Sequence, residues 1–450
     1  MWCVNLIEIG GWAFMDQNTT TTYLGLFECL KTLLFSGDFQ KRYRQEPKDF
    51  TRERCLPFYI VVIFLLNLVK RALQDELDEF FKLLTGADIA TRIVTKSAFI
   101  QARKKLKYEA FVELNRAQVN YFYEHFEPET WHGFRLAAVD GSMSELPDIE
   151  EIATHFGVWH PASGGTCPKA RVSQMFDVLN KVSLDAIIAP KNQGERALAE
   201  LHFAHLKAGD LVLLDRGYPA FWLFALILAK NAHFCARMKL SGWKVVEQFA
   251  ASGKPEQIVT LRPCAAAFHE CQDRKLPSHP LTVRLIRIEL DDGEVEVLAT
   301  SLLDRESYPV SIFKELYHCR WPVEEDYKVM KSRIEIENWS GKSVLAVYQD
   351  FHAKVFTKNM TDLLAYPAQK LVDQESQDKK YSYHVNMTNA FSKIKDTLVL
   401  LLQRSTIWPL LEQLWLLMTQ TIEPIRPNRS FPRIKQVKPK KFAFSYKPIR

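Results

Sequence analysis

The sequence predicts an α/β protein: a mixed sheet flanked by helices, with a helical region before it, a β-strand insertion within it and a helical region after it. Three observations carry that prediction. Residues 20–130 place apolar side chains three and four apart with almost no glycine, the period of amphipathic helices. From Phe134 the texture changes to short apolar runs in the order strand, strand, strand, helix, strand, helix, which builds a mixed sheet with covering helices. Between 233 and 304 the chain is β-rich, with a clear alternation of period two near its end.

In the first region Leu65, Leu68, Val69, Ala72, Leu73, Leu77 and Phe80 follow the helical spacing. In the core, Phe134–Asp140, Ser173–Leu179, Ser183–Ala189 and Leu211–Asp215 are expected strands, and Glu195–Leu206 and Pro219–Ala232 expected helices. Within the insertion, Leu281–Leu290 and Glu294–Leu303 form a hairpin about Asp291-Asp292-Gly293, preceded by segments starting at His233, Trp243 and Glu256. Helices return at Pro309, with Ser307 as a cap, and run past Ala365. The polar stretch Asp373–Tyr383 then separates them from a helical pair around Leu398–Leu402 and Leu410–Met418. The resulting division is 1–130 helical, 131–232 with 305–370 as the α/β core, 233–304 as the insertion, 371–425 helical, and 426–450 a basic tail.

The chain has 450 residues, 47% hydrophobic and 25% charged, which excludes disordered, collagenous and low-complexity classes. Its formal charge of +6 is mild, so only the distribution of charge points to a polyanion. The last 25 residues hold nine basic side chains, four prolines and no acid, the composition of an arm. A second basic run, Arg92, Lys96, Arg103, Lys104, Lys105 and Lys107, has no acid between Thr91 and Lys107. It reads either as a solvated helix face or as a helix laid along a DNA groove, with Thr95 or Ser97 capping it. The eight cysteines are scattered with no C-x-x-C pair, as in a reduced, cytoplasmic protein. The longest apolar stretch, Cys55–Val69, is broken by Pro57 and Asn67 and is too short to span a bilayer, so no membrane association is expected. The N-terminus carries Glu8 and Asp16 and no basic leader, so no signal peptide is expected.

Three carboxylates stand out by position. Asp140 ends one buried strand and precedes Gly141; Asp215 ends another and precedes Arg216 and Gly217. Acids at the carboxyl ends of such strands sit where α/β sheets place their sites. Two anions brought together there repel unless a cation joins them, and hard divalent ions meet that need. The third is Glu324, which shares a helix face with Lys328 and Lys331 at i, i+4 and i+7. Tyr317 and Arg320 extend that face upstream only if the helix is continuous; Pro322 requires either a kink or a fresh helix start.

Tyr317, Arg320, Glu324 and Lys331 fill all four positions of Y-x2-R-x3-E-x6-K. By that signature the sequence resembles DDE transposases of the insertion-sequence-four family. Val139-Asp140-Gly141 resembles the family's first-Asp strand, and Leu214-Asp215-Arg216-Gly217-Tyr218 its second-Asp motif. The resemblance covers roughly residues 60–365. It implies an RNase H-like core with a β-strand insertion, an N-terminal DNA-binding region and a C-terminal dimerisation segment.

Carried over, Asp140, Asp215 and Glu324 are the catalytic acids and the ligands of two Mg²⁺ (or Mn²⁺) ions that serve cleavage and strand transfer. Arg320 and Lys331 match residues that hold DNA phosphates, and Tyr317 one that contacts the same backbone. Arg216 is either a further phosphate contact or half of a structural ion pair. The implied partners are terminal inverted repeats and target DNA, bound by a homodimer, with Arg103, Lys104 and Lys105 contributing to end recognition and the tail to phosphate contact. Two alternatives remain: a catalytically silent DNA-binding protein, and an RNase H-like nuclease without a joining step. Gly293–Val297 lacks the tryptophan on which hairpin-forming relatives stack a flipped base, and Trp243 is the insertion's single tryptophan.

Other constellations are set aside. Asp177 is expected either to support the acid site from behind or to be structural. Ser163-Gly164-Gly165-Thr166 with Lys169 lacks Walker spacing, and His202-x-x-His205 lacks an accompanying acid motif. Cys264, His269 and Cys271 lack a fourth partner for zinc.

Overall fold

The computed structural model describes residues 17–160, 167–290 and 293–426. The chain begins with six helices: α1 (Gln17–Leu34), α2 (Gly37–Tyr43), α3 (Phe58–Leu66), α4 (Leu73–Thr85), α5 (Lys96–Arg103) and α6 (Glu109–His125). Helix α3 is apolar all round and therefore lies inside the bundle. Its Phe64 meets Phe80 of α4 and Phe99 of α5 edge-on, at 5.2 and 4.6 Å between ring centres. The Thr95 hydroxyl caps α5 by accepting from the Ala98 N–H.

The core follows as β1 (Arg135–Glu145), α7 (Glu150–Phe156), β2 (Val158–Trp159), β3 (Cys167–Asp177), β4 (Val182–Pro190), α8 (Glu195–Phe203), β5 (Asp210–Leu214), α9 (Phe221–Ala229) and β6 (His233–Met238). β4 and β1 both run antiparallel to β3, whereas β1, β5 and β6 are mutually parallel. The order β4–β3–β1–β5–β6, three antiparallel strands leading into parallel ones, is the RNase H-like arrangement. β5 is buried along its whole length, as a central strand covered on both faces must be.

The insertion contributes α10 (Lys244–Ser252), β7 (Glu256–Leu261), α11 (Ala265–Asp273), β8 (Leu281–Glu289) and β9 (Val295–Thr300). β9 pairs with β6, so the sheet continues as β6–β9–β8–β7. Two details differ from the sequence reading. His233–Met238 is the fifth strand of the core, and the segment after Trp243 is a helix. Val246 and Phe249, three apart, are its buried residues; a run this short fits either period until its neighbours are known.

After β9 come a 3₁₀ turn at Val310–Ile312, α12 (Phe313–His318), α13 (Pro322–Ser332), α14 (Val344–Glu375), β10 (Tyr383–Val385), α15 (Met387–Gln403), α16 (Trp408–Thr419) and β11 (Ile422–Pro424). Helix α14, 32 residues long, packs against α3, α6 and α16 and also against β4. It is the shaft joining bundle to sheet, and so buries polar side chains along its length. Each has a partner. The Gln349 amide donates to the carbonyls of Arg103 (2.9 Å) and Leu106 (2.7 Å), and Asn359 Oδ1 accepts from the Ser183 N–H at 2.8 Å. Lys358 Nζ lies 2.7 Å from Asp326 of α13 and 3.0 Å from Asp362, with all three carboxylate-bearing and basic groups buried or nearly so. Gln174 of β3 donates to Asp326 at 2.9 Å, closing a clamp across α13, α14 and β3.

Removing one member of such a buried ionic cluster strands the others without compensation, at a cost of about 3–5 kcal/mol. Lys358→Met is therefore expected to lower unfolding stability by about that amount. Urea denaturation measures it, and a loss below about 1 kcal/mol would show that the cluster is not a clamp.

Candidate active site

β1 and β5 pair in parallel with Val139 opposite Leu214. The next residues are Asp140 and Asp215, side by side on neighbouring chain segments roughly 4.8 Å apart. β5 ends at Leu214, but β1 runs on to Glu145 with Asp140 opposite Gln174, so Asp140 lies mid-strand and not at the strand end that the sequence suggested. The strands are forced together by the apolar runs Leu136–Val139 and Leu211–Leu214, all fully buried.

The third acid comes from across the sheet. Pro322 is the first residue of α13, so the chain starts a fresh helix there, and Glu324 lies in its first turn. The hydroxyl of Tyr327, one turn on, donates to the Asp140 carbonyl at 2.8 Å, which lays this helix face over the middle of β1. Further along, Lys331 Nζ donates to Ser142 Oγ (2.7 Å) and the Met143 carbonyl (2.8 Å), so its ammonium is anchored on β1 just past Asp140. Tyr317 lies on α12 and Arg320 in the joint between the helices. The Tyr317 hydroxyl donates to Asp215 Oδ1 at 3.4 Å, and Arg320 Nη2 lies 2.5 Å from Glu324 Oε1.

The acids sense one another. Asp140 is pushed up from its ordinary 3.8 to about 6, chiefly by burial. The Gly141 N–H and the Arg320 guanidinium oppose that rise, and the negative charges of Glu324 and Asp215 add to it. Arg320 thus stands among the carboxylates of residues 140, 215 and 324; burial alone would lower its affinity for a proton, but those neighbours raise it.

Arg216 is exposed at the end of β5 beside this cluster. Lys104 is exposed on the helical bundle, and Lys105 faces Asp49 at 3.9 Å. Arg103 is a correction to the sequence reading. It is 3% exposed, with Nε donating to Gln349, Nη1 to Ser340 and Nη2 to Asp350, each at 2.9 Å. It ties α5 to α14 and presents no charge to a ligand. Arg92 is likewise paired, with Asp78 at 3.0 Å. Within the run Arg92–Lys107, Arg103 is the one basic side chain that is buried; Arg92 pairs at the surface. The basic tail lies outside the described residues from 427 onward, as does Ser163–Thr166.

Asp177 is structural, one of the two roles expected of it. It is fully buried and accepts from the Tyr123 hydroxyl and from the N–H groups of Leu179 and Asn180, each of the latter at 3.0 Å. His202, expected to be a packed or exposed histidine, is buried and bonded to Asp185 (2.7 Å) and to Ser173 (3.0 Å), directly behind β1. Trp243 is half-buried against Phe224 at 6.4 Å between ring centres, a packing role. Two neighbours of the acids escaped the sequence reading in their roles. Glu195 opens α8 close to the glycines that follow the two aspartates, and Tyr218 was quoted only as part of a motif. No local pattern marks Glu195; only the fold brings it near residue 140.

The donors suit a hard divalent cation: half-buried carboxylates, one of them pushed toward its neutral form chiefly by burial. Among the described residues, however, no three His, Cys, Asp or Glu side chains stand as a ready-made ligand set. Glu324 is turned onto Arg320, and joining the aspartates requires it to leave that guanidinium.

Comparison with known proteins agrees with this geometry. Residues 131–360, half of the chain, match the family described as the transposase DDE domain. The chain is 24% identical over 290 residues to the transposase InsG of insertion sequence element IS4 from Escherichia coli K12, spanning 63% of this chain and 64% of that protein. It is 25% identical over 166 residues to InsZ of the same strain, also named as a transposase, spanning 36% of this chain and 54% of that one. A solved structure, the piggyBac transposase synaptic complex with hairpin DNA, aligns over 86% of this chain and 84% of its own with a TM-score of 0.45 and 8% identity. No helix among the described residues is long and apolar enough to cross a membrane. The RNase H-like sheet, the signature residues gathered on it and the family match together place this chain in the DDE transposase family, among those of the insertion-sequence-four type.

Proposed function

We propose that the protein binds the terminal inverted repeats of an insertion sequence, cleaves DNA at their ends and joins the freed 3′-hydroxyl to target DNA. The observation that supports this most directly is the pairing of β1 with β5, which sets Asp140 beside Asp215 with α13 lying across them. Asp140, Asp215 and Glu324 would hold two Mg²⁺ or Mn²⁺ ions. When bound, such ions activate the attacking oxygen and stabilise the leaving one in phosphodiester chemistry. The chain's own part is positioning and charge. Tyr327 and Lys331 fix α13 on β1, Tyr317 orients Asp215, and Arg320, released by Glu324, is placed to meet a phosphate with its forked donors. Arg216 adds positive charge at the mouth. Lys105, with the neighbouring Lys48, Arg52 and Arg54, lines a groove on the helical bundle suited to the DNA backbone, and Lys104 is exposed next to Lys105. Two ends processed together call for two copies of the chain, and the 371–425 region is where they would meet.

A second reading, site-specific binding without cutting, has one observation in its favour: the engagement of Glu324 by Arg320. A gel shift on matched ends with no Mg²⁺- or Mn²⁺-dependent product would select it. A nuclease that cuts but does not join is separated by a strand-transfer assay with pre-cleaved ends.

Asp140→Ala, Asp215→Ala and Glu324→Ala are each expected to abolish end cleavage while binding of the end is retained. A single mutant that nicks at near wild-type rate with Mg²⁺ removes that residue from the site. The raised proton affinity of Asp140 also has a consequence for stability. Its carboxyl holds a proton in the fold up to about pH 6 but in the unfolded chain only to about 3.8, so its contribution is complete below 3.8 and lost as pH rises to 6. In metal-free protein Asp140→Asn should therefore be stabler than wild type by roughly 2 kcal/mol at pH 7. Thermal melts at pH 4 and 7 check this, and equal stability at pH 7 would show that the carboxylate is not under strain. For the bundle groove, Lys104→Ala with Lys105→Ala should weaken DNA binding and flatten the log–log salt slope by roughly 2. Arg103→Ala should instead act through stability. An unchanged slope in the double variant takes that groove out of the interface.

A further inference from the structure

We propose that Glu195 is a fourth carboxylate of the cation site, approaching Asp140 and Asp215 from the side opposite Glu324. The inference rests on the cation-binding reading of Asp140, Asp215 and Glu324 given above.

Glu195 is the first residue of α8 and is held in place by its neighbour: Arg196 donates to the carbonyls of Gly217 (3.2 Å) and Pro219 (3.0 Å), in the turn that follows Asp215. This brings the Glu195 carboxylate close to the glycines that follow the two aspartates. A methyl group placed on Gly141 would lie 3.6 Å from Oε1, and one placed on Gly217 would lie 3.6 Å from Oε2. The two glycines are the residue after Asp140 and the second residue after Asp215. The side chain is 45% exposed, so a ligand can reach it.

An independent observation points to something that belongs in this space. Tyr218 is 2% exposed, and its hydroxyl has no hydrogen-bond partner among the described residues. That hydroxyl lies 3.7 Å from the same methyl position on Gly141, and it is surrounded by the charges of Asp140, Glu195 and Asp215, which together with burial push it upward. A buried hydroxyl left unpaired costs free energy unless a bound group supplies its partner. A hydrated divalent cation among the three acids brings the water oxygen that the hydroxyl lacks.

The two flanking acids are also arranged alike. Glu324 is held at 2.5 Å by Arg320, and Glu195 at 2.6 Å by Arg171 of β3. Each carboxylate thus has a guanidinium that compensates it and from which it can turn toward the aspartates. The alternative is that Glu195 does no more than neutralise Arg171.

Direct Mn²⁺ binding to the full-length protein, read by calorimetry and by the spin-resonance signal of free Mn²⁺, separates these readings without any assay of cleavage. Glu195→Gln should weaken Mn²⁺ binding at least about tenfold, the range seen when groups around a metal are removed. Arg171→Gln, which frees the carboxylate, should tighten it, and Tyr218→Phe should weaken it less than Glu195→Gln does. Thermal melts in the absence of metal confirm that the variants fold. If Glu195→Gln and Arg171→Gln both leave Mn²⁺ binding within twofold of wild type while Asp140→Asn abolishes it, Glu195 is only the partner of Arg171 and the inference fails. If Asp140→Asn also leaves binding unchanged, the underlying cation site fails with it.

Discussion

Negative charges held close together in a half-buried place repel, and most of the architecture can be understood as holding them there regardless. Asp140 and Asp215 cannot move apart, because the strands that carry them are paired in parallel and buried along the runs that precede the acids. Burial, with a smaller share from that repulsion, therefore raises the proton affinity of Asp140, and Arg320 stands among the carboxylates. Such a site is poised to take positive charge: from a proton, from a guanidinium, or from a cation.

The same constraint explains why the surroundings are so heavily tied. Helix α13 must stay over β1 although its acidic first turn faces other acids. It is held from below by Tyr327 and Lys331, and from behind by the Asp326–Lys358 contact and Gln174. Lys358 belongs to α14, which also carries Asp350, the partner of Arg103 in the helical bundle. One long helix thus links the placement of Glu324 to the packing of the N-terminal region. Buried ionic groups of this kind are weak sources of net stability, and their value lies in fixing one arrangement of the elements.

Much of this was legible in the chain. The short apolar runs ending in Asp140 and Asp215 announced strands, the spacing Tyr317, Arg320, Glu324, Lys331 announced the third acid, and Pro322 announced either a kink or a helix boundary, of which the structure has the boundary. Each is a local pattern, and local patterns survive in one dimension. Arg103 was misjudged for the complementary reason. Its neighbours in sequence are lysines, but Asp350 and Gln349, which neutralise and bury it, lie almost 250 positions away. The insertion hid a core strand because a strand of six residues carries no mark of which sheet it will join.

What the sequence determined by itself is the set of chemical groups and the short-range structure around each: acids closing apolar runs, a signature segment interrupted by proline, a glycine one or two residues after each aspartate. What only the tertiary structure decided is which charges meet. Proximity between groups far apart in sequence depends on strand pairing and helix packing, both long-range. For that reason the convergence of Asp140, Asp215 and Glu324, the burial of Arg103, and the approach of Glu195 and Tyr218 to the same point are properties of the fold.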